Sequence, residues 1–273
     1  MKHKNISYQS NNLLSFFLEK NKPCFTYSEA LQAIKNTTPN AARQLLSDMV
    51  KRGLLMRIRN GLFYIIPFDQ DPETFMPDWH LLASPLTKSY EYYIGYYSAL
   101  QLHQLITQPS LTEMIVTNHQ IKPAVVKVRD VTFQFIYHNQ THFFGKTEVW
   151  VDSFDKVVCS DLEKTFVDCL FKPEYGGGIV EIGKALYQAH PTIDFEKLFQ
   201  YCKRFNSQAV IKRLGFLLEL LKIGAPIIEK LQDLKSDSYI LLDTEMAKDG
   251  RSLSRWSIRQ NIDTETIENA LLT

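Results

Sequence analysis

Asn40, Arg43, Gln44, Ser47 and Lys51 recur three and four residues apart, with Gln44 beside Arg43, so a helix through them gathers all five on one side. These are the side-chain types that read nucleic acid: a guanidinium pairs with guanine, a carboxamide with adenine, a hydroxyl with either, and an ammonium with phosphate. Ala42, Leu45, Leu46, Met49 and Val50 fall at i, i+3, i+4, i+7 and i+8, which turns the opposite side toward a core. Thr38 followed by Pro39 reads as an N-cap with proline at the first helical position. Thr38 and Asn40 therefore stand at the helix end that would enter a major groove.

A second basic group follows. Asn60-Gly61 is a two-residue hairpin signal, and such a turn pairs Arg59 with Leu62, Ile58 with Phe63, Arg57 with Tyr64 and Met56 with Ile65. Opposed residues share a face, so Met56, Ile58, Phe63 and Ile65 form a buried side. Arg57, Arg59 and Tyr64 then lie together on the other, beside Asn60, as a face for phosphates or a minor groove.

The elements that must position these groups are legible around them. Leu13, Leu14, Phe16, Phe17 and Leu18 suit a short buried helix over 12–20. Thr26-Tyr27-Ser28-Glu29 is a capping box opening a second helix with Ala30, Leu31 and Ile34. Lys35 to Pro39 makes a turn, the third helix stops at Lys51-Arg52-Gly53, and 54–67 form the hairpin. Three helices and a hairpin define a winged helix-turn-helix over residues 1–67. That segment holds ten Lys/Arg against three Asp/Glu, a net +7, and the rest of the chain carries −6. The whole-chain charge of +1 hides one part suited to a polyanion and another that repels it.

Residues 68–89, with Pro72, Pro77 and Pro85 and little periodicity, read as a linker and crossover. A helix is expected over 90–105, with Tyr93, Tyr96, Tyr97 and Leu100 at helical spacings and Gly95 where a neighbour approaches closely. Strands follow at 114–116, 125–128, 131–137 and 146–151, then helices from Ser160-Asp161-Leu162-Glu163 to Phe171, and over 179–189, 194–204 and 207–221. Two late strands, 239–242 and 253–258, precede a last helix from Thr264. The fold class is α+β: a winged helix-turn-helix domain, then a larger mixed α+β domain over 90–273.

The second domain shows no catalytic constellation, and the chain is expected not to be an enzyme. His138 and His142 have an H-x3-H spacing but no third ligand, so no metal is expected. Gly176-Gly177-Gly178 before a helix could offer N–H groups to a phosphate but lacks the lysine and hydroxyl of a P-loop. Asp161, Glu163 and Asp168 read as helix capping and a solvated face, and no cofactor is implied. Cys24, Cys159, Cys169 and Cys202 are too scattered for a zinc or redox pair and suit a reducing cytosol. The first five residues lead into a polar stretch rather than a secretion signal. No apolar run reaches the roughly 20 residues a bilayer needs, so a cytoplasmic protein is expected. With 45% hydrophobic and 22% charged residues, disorder and coiled coil are excluded.

Three segments resemble the AbiEi family of antitoxins from type IV (abortive infection E) toxin–antitoxin systems. They are Tyr93-Ile94-Gly95-Tyr96-Tyr97-Ser98-Ala99-Leu100-Gln101-Leu102-His103, the stretch from Ser160 through Thr165-Phe166-Val167-Asp168 to Pro173-Glu174-Tyr175-Gly176-Gly177, and Ala209 to Glu219. The resemblance implies an autorepressor that binds inverted repeats of double-stranded DNA in its own promoter. It also implies a larger domain that counters a cognate nucleotidyltransferase toxin, without implying a stable complex. Lys212 and Arg213 become candidates for an extra phosphate contact from the second domain. The alternative is a ligand-gated regulator or nucleotide-binding enzyme that uses Gly176 to Gly178 and the tyrosine-rich helix.

Overall fold

The computed structural model describes residues 6–34, 37–87, 90–106 and 108–272. Met1 to Asn5, and Lys35 and Asn36 of the expected turn, lie outside the described residues, as do residues 88 and 89 of the expected linker. The chain divides into two compact units, residues 1–89 and 90–273. The whole is a mixed α+β protein.

The first unit runs α1 (Tyr8–Leu18), β1 (Cys24–Thr26), α2 (Tyr27–Ala33), α3 (Pro39–Lys51), β2 (Leu55–Arg59) and β3 (Leu62–Ile65). Thr26 and Glu29 form the expected capping box, each satisfying the other's backbone N–H. α3 closes with the Gly53 N–H on the Val50 carbonyl and the Leu54 N–H on that of Met49. Gly53 sits at φ +71, and a Cβ there would fall 2.4 Å from Pro72, so only glycine fits. Leu13, Phe17, Phe25, Leu46, Met49, Leu55, Phe63 and Ile65 make the core, with the Phe17 and Phe25 rings stacked at 4.1 Å. β3 is the central strand of an antiparallel sheet ordered β1-β3-β2. Sequence reasoning missed β1, whose three residues are too few to show alternation.

The stretch expected as a linker is structured. It holds a 3₁₀ turn, Trp79–Leu82, continuing into α4 (Ala83–Thr87), and Leu82, Ala83 and Leu86 are buried.

In the second unit β4 (Tyr92–Ile94) precedes α5 (Tyr96–Leu102), followed by β5 (Thr112–Thr117), β6 (Val125–Val128), β7 (Val131–Tyr137), β8 (Lys146–Trp150) and β9 (Lys156–Ser160). These strands form one mixed sheet ordered β6-β7-β5-β4-β9-β8. The single helix expected over 90–105 is thus a central strand and a shorter helix. Gly95 is extended, at φ −133 and ψ −175, and Tyr96 takes φ +54, which separates the two. A Cβ at Gly95 would lie 2.9 Å from Val116, the close approach anticipated at that glycine.

α6 (Leu162–Phe171), α7 (Gly178–Ala189), α8 (Phe195–Phe205) and α9 (Gln208–Leu220) follow. α10 (Ile228–Leu234), β10 (Ile240–Leu241), β11 (Arg251–Leu253), β12 (Ile258–Gln260) and α11 (Thr264–Asn269) complete the unit. Tyr93, Val116 and Ile136 from the sheet join Phe166, Leu170, Ile182, Leu186, Leu214 and Leu217 in one core. A small sheet ordered β10-β12-β11 precedes α11, its late hairpin spanning 251–260 where one strand was expected.

Candidate nucleic-acid interface

The Thr38 side chain caps α3 by accepting the Ala41 N–H at 3.2 Å. Thr38, Asn40, Arg43, Gln44 and Lys51 are exposed and Ser47 is half-buried, whereas Ala42, Leu46 and Met49 are buried. The helix thus presents the polar face its spacing predicts. Arg43 Nη1 donates to Asn40 Oδ1 at 3.2 Å, so these two groups stand side by side near the helix start.

One residue on this face escaped the sequence reading. Asp48 accepts two hydrogen bonds from Gln44 Nε2, at 3.0 and 3.1 Å, and its carboxylate lies 4.0 Å from Lys51 Nζ. The face is therefore not uniformly basic. Asn40 and Arg43 are its cationic and amide end, while Gln44 and Lys51 are tethered to a carboxylate.

The wing departs from the expected register. β2 and β3 pair Leu55 with Ile65, Met56 with Tyr64, Arg57 with Phe63 and Arg59 with Leu62, with a bulge at Ile58. A bulge sets two residues of one strand against one of the other. Arg57 therefore shares the Phe63 face, its guanidinium 5.8 Å from that ring, and stays exposed. Arg59 shares the opposite face with Leu62 and is half-buried. Burial lowers its pKa, opposed by the nearby Cys24 thiol. Tyr64 lies opposite Met56 and Cys24, 5.9 Å from the Phe75 ring. The single face of Arg57, Arg59 and Tyr64 is corrected to Arg57 with exposed Asn60 at the turn, and Arg59 behind. In the shifted register consecutive residues on both strands are buried, Leu55 and Met56 on β2 and Leu62 and Phe63 on β3, so the strict alternation assumed for a one-sided hairpin does not hold.

Tyr27, at the start of α2, touches both parts. Its N–H donates to the Gly61 carbonyl in the wing turn at 2.8 Å. Its hydroxyl donates to the Pro39 carbonyl in the first turn of α3, also at 2.8 Å, and the Arg43 guanidinium sits 5.3 Å from its ring centroid.

In the second unit Lys212 and Arg213 do not form a phosphate-contacting surface; both are buried. Lys212 Nζ donates to Ser236 Oγ at 3.1 Å and to the Ser238 carbonyl and hydroxyl. Arg213 donates to the carbonyls of Leu170, Phe171, Leu241 and Leu242. Burial lowers its pKa to about 10, with Asp243 and Glu174 opposing. Consecutive residues on a largely apolar helix had looked like a charged edge; long side chains instead thread inward to carbonyls at the ends of α6 and β10.

The glycine turn before α7 is already occupied. Asp243 Oδ2 accepts the Ile179 N–H at 2.8 Å and is itself buried. A phosphate there would meet a carboxylate.

Asp168, read as capping or solvated face, is fully buried. Its carboxylate pairs with Lys164 and accepts from the Tyr93 hydroxyl at 2.9 Å. Lys164 Nζ donates to that same hydroxyl at 2.9 Å. His138 Nδ1 lies 3.2 Å from the Tyr93 oxygen, and Nε2 lies 2.8 Å from that of Tyr96. The network closes with His138 as the Nδ1–H tautomer, donating to Tyr93 and accepting from Tyr96. Burial pushes the imidazole down to about 2, with the Lys164 charge acting in the same direction. Burial also raises Asp168 and lowers Lys164, and each is held against that shift by the other's charge. All five side chains are shielded from solvent, so the cluster ties β4 and α5 to α6 rather than presenting a proton to a substrate.

The cap of α6 is Asp161, not Ser160: its carboxylate accepts the Lys164 N–H at 2.9 Å. Ser160 Oγ pairs with Thr165 Oγ1, and Glu163 turns to the Asp194 N–H and Lys197. Among the described residues no group of three His, Cys, Asp or Glu side chains could hold a metal, and no helix is long and apolar enough to cross a membrane. The four cysteines are unbridged.

No protein-family model matches the sequence, and no curated protein matches it. The fold is similar to the crystal structure of the RV2827C protein from Mycobacterium tuberculosis, with a TM-score of 0.70 at 15% sequence identity. The similarity covers 98% of this chain and 96% of that one, so both units and their order in the chain are shared.

Proposed function

We propose that this protein is a sequence-specific DNA-binding transcriptional regulator. Its first unit would dock α3 in a major groove and set the wing against the flanking phosphates. The observation that carries the reading is the exposed Asn40–Arg43 pair at the N-terminal end of α3, on a unit of net charge +7 through residue 67. Arg57 and Asn60, exposed on the wing, supply backbone contacts. The AbiEi-like segments support a narrower assignment: an autorepressor and antitoxin of a type IV toxin–antitoxin system, opposing a nucleotidyltransferase toxin. The second unit would serve that antagonism without catalysis, and its buried Lys164–Asp168 centre supports a structural role for the Asp168 segment.

The test has two arms. Duplexes selected by the full-length protein from a random library should converge on a motif, and binding should weaken steeply with salt. Co-expression with a nucleotidyltransferase encoded beside its gene should restore growth that the transferase alone arrests. Failure to enrich any duplex would refute DNA reading; failure to restore growth would refute the antitoxin assignment alone.

A further inference from the structure

We infer that Tyr27 is the positioning residue that holds the wing and the recognition helix in register, so that phosphate and base contacts form together. The inference rests on the DNA-binding reading of the first unit, but the geometry beneath it is independent of that reading. One residue bonds both parts. Its N–H holds the Gly61 carbonyl at 2.8 Å, where β2 turns into β3, and its hydroxyl holds the Pro39 carbonyl at 2.8 Å, where α3 begins.

The ring between those two bonds is stiff, so the wing turn and the helix start are fixed at one separation. Its face also carries the Arg43 guanidinium at 5.3 Å, while Arg43 Nη1 is anchored on Asn40. Two restraints therefore orient a side chain that must meet a base edge in a planar, bidentate geometry. A Cβ added at Gly61 would sit 3.9 Å from the Tyr27 Cβ, so the turn passes close beside this residue.

Ordinary packing does not explain the hydroxyl. The Pro39 carbonyl stands in the first turn of a helix, where its own i+4 amide satisfies it, so folding does not require a second donor. What the second donor adds is a fixed direction for the end of α3.

Tyr27→Phe keeps the ring and the main-chain bond and removes only the hydroxyl. Binding to a duplex selected by the wild-type protein should weaken about 3- to 10-fold, the worth of one net hydrogen bond. Binding to a scrambled duplex of the same composition, and the salt dependence on both, should not change. In the unliganded protein, amide exchange should quicken together in the turn 60–62 and in the first turn of α3. Equal weakening on both duplexes, or no change on either, would make Tyr27 a packing residue and overturn the inference. If the wild-type protein enriches no duplex, the DNA reading fails and exchange alone decides: coupled quickening supports the clamp, and unchanged exchange refutes it.

Discussion

Arg57 and Arg59, two residues apart on one strand, project from opposite faces of the wing because Ile58 bulges between them. Arg57 is exposed over the Phe63 ring, and Arg59 is half-buried on the Leu62 side. They are not equivalent cations. Arg57→Ala should lower affinity for every duplex and reduce the salt slope by about one. Arg59→Ala should change the slope less. Fluorescence-anisotropy titrations at four salt concentrations measure both, and equal slope changes would show that the bulge does not separate them.

Lys212 and Arg213 should matter to stability and not to DNA. Arg213→Ala strands the carbonyls of Leu170, Leu241 and Leu242, and a loss of about 3 kcal/mol or more is expected from removing several charge-assisted bonds at once. Lys212→Met should lose about 1–3 kcal/mol. Urea unfolding of the full chain gives these values. Duplex affinity, measured where both variants remain folded, should match the wild type.

His138 makes the fold acid-sensitive. Its folded-state pKa is depressed, so between about 2 and its ordinary 6.5 the unfolded chain binds the proton and the folded chain does not. Stability contributed by the neutral imidazole is complete above pH 6.5 and falls below it, by at most about 1.4 kcal/mol per pH unit. His138→Gln should flatten this acid limb in denaturant melts taken from pH 7 to pH 4. An unchanged limb would assign the sensitivity to other groups.

Breaking the ion pair beneath that histidine should cost more. Lys164→Met leaves the Asp168 carboxylate buried without its cation, for an expected loss of about 3–5 kcal/mol. The double variant Lys164→Met with Asp168→Leu removes both charges and should recover part of that loss, as an unfolding series would report.

Legibility in the sequence followed the range of the forces involved. Thr38, the Thr26–Glu29 box and the stop at Gly53 were readable because caps act within four residues, and the structure places them as expected. The face of α3 was readable for the same reason. The wing register was not, because a bulge between Arg57 and Arg59 shifts every pair beyond it, and consecutive buried residues such as Leu55 and Met56 leave no clean alternation to set the register. β4 was hidden because Tyr93, Tyr96 and Leu100 keep helical spacing across a strand-to-helix break at Gly95 and Tyr96, the second of which takes φ +54. Lys212 and Arg213 were misplaced because their partners lie far along the chain, at Ser238 and Leu242, and Asp168 because what buries it beside Lys164 is the distant Tyr93 and the core around it. Tyr27 carried a signal only as an aromatic at a capping position, and its two carbonyl partners are visible only once the chain is folded.

The central claim is that α3 reads sequence with Arg43 foremost. Its guanidinium is bonded to the neutral Asn40 amide, whereas Gln44 must first leave the Asp48 carboxylate, so the two side chains should not weigh equally. The most direct measurement is the affinity ratio between the duplex selected by the wild-type protein and a scrambled duplex, for the wild type, Arg43→Ala and Gln44→Ala at one salt concentration. Arg43→Ala should cost about 1–3 kcal/mol on the selected duplex and little on the scrambled one, with a smaller loss for Gln44→Ala. A ratio near one for the wild type, or the same ratio in all three proteins, would contradict the account.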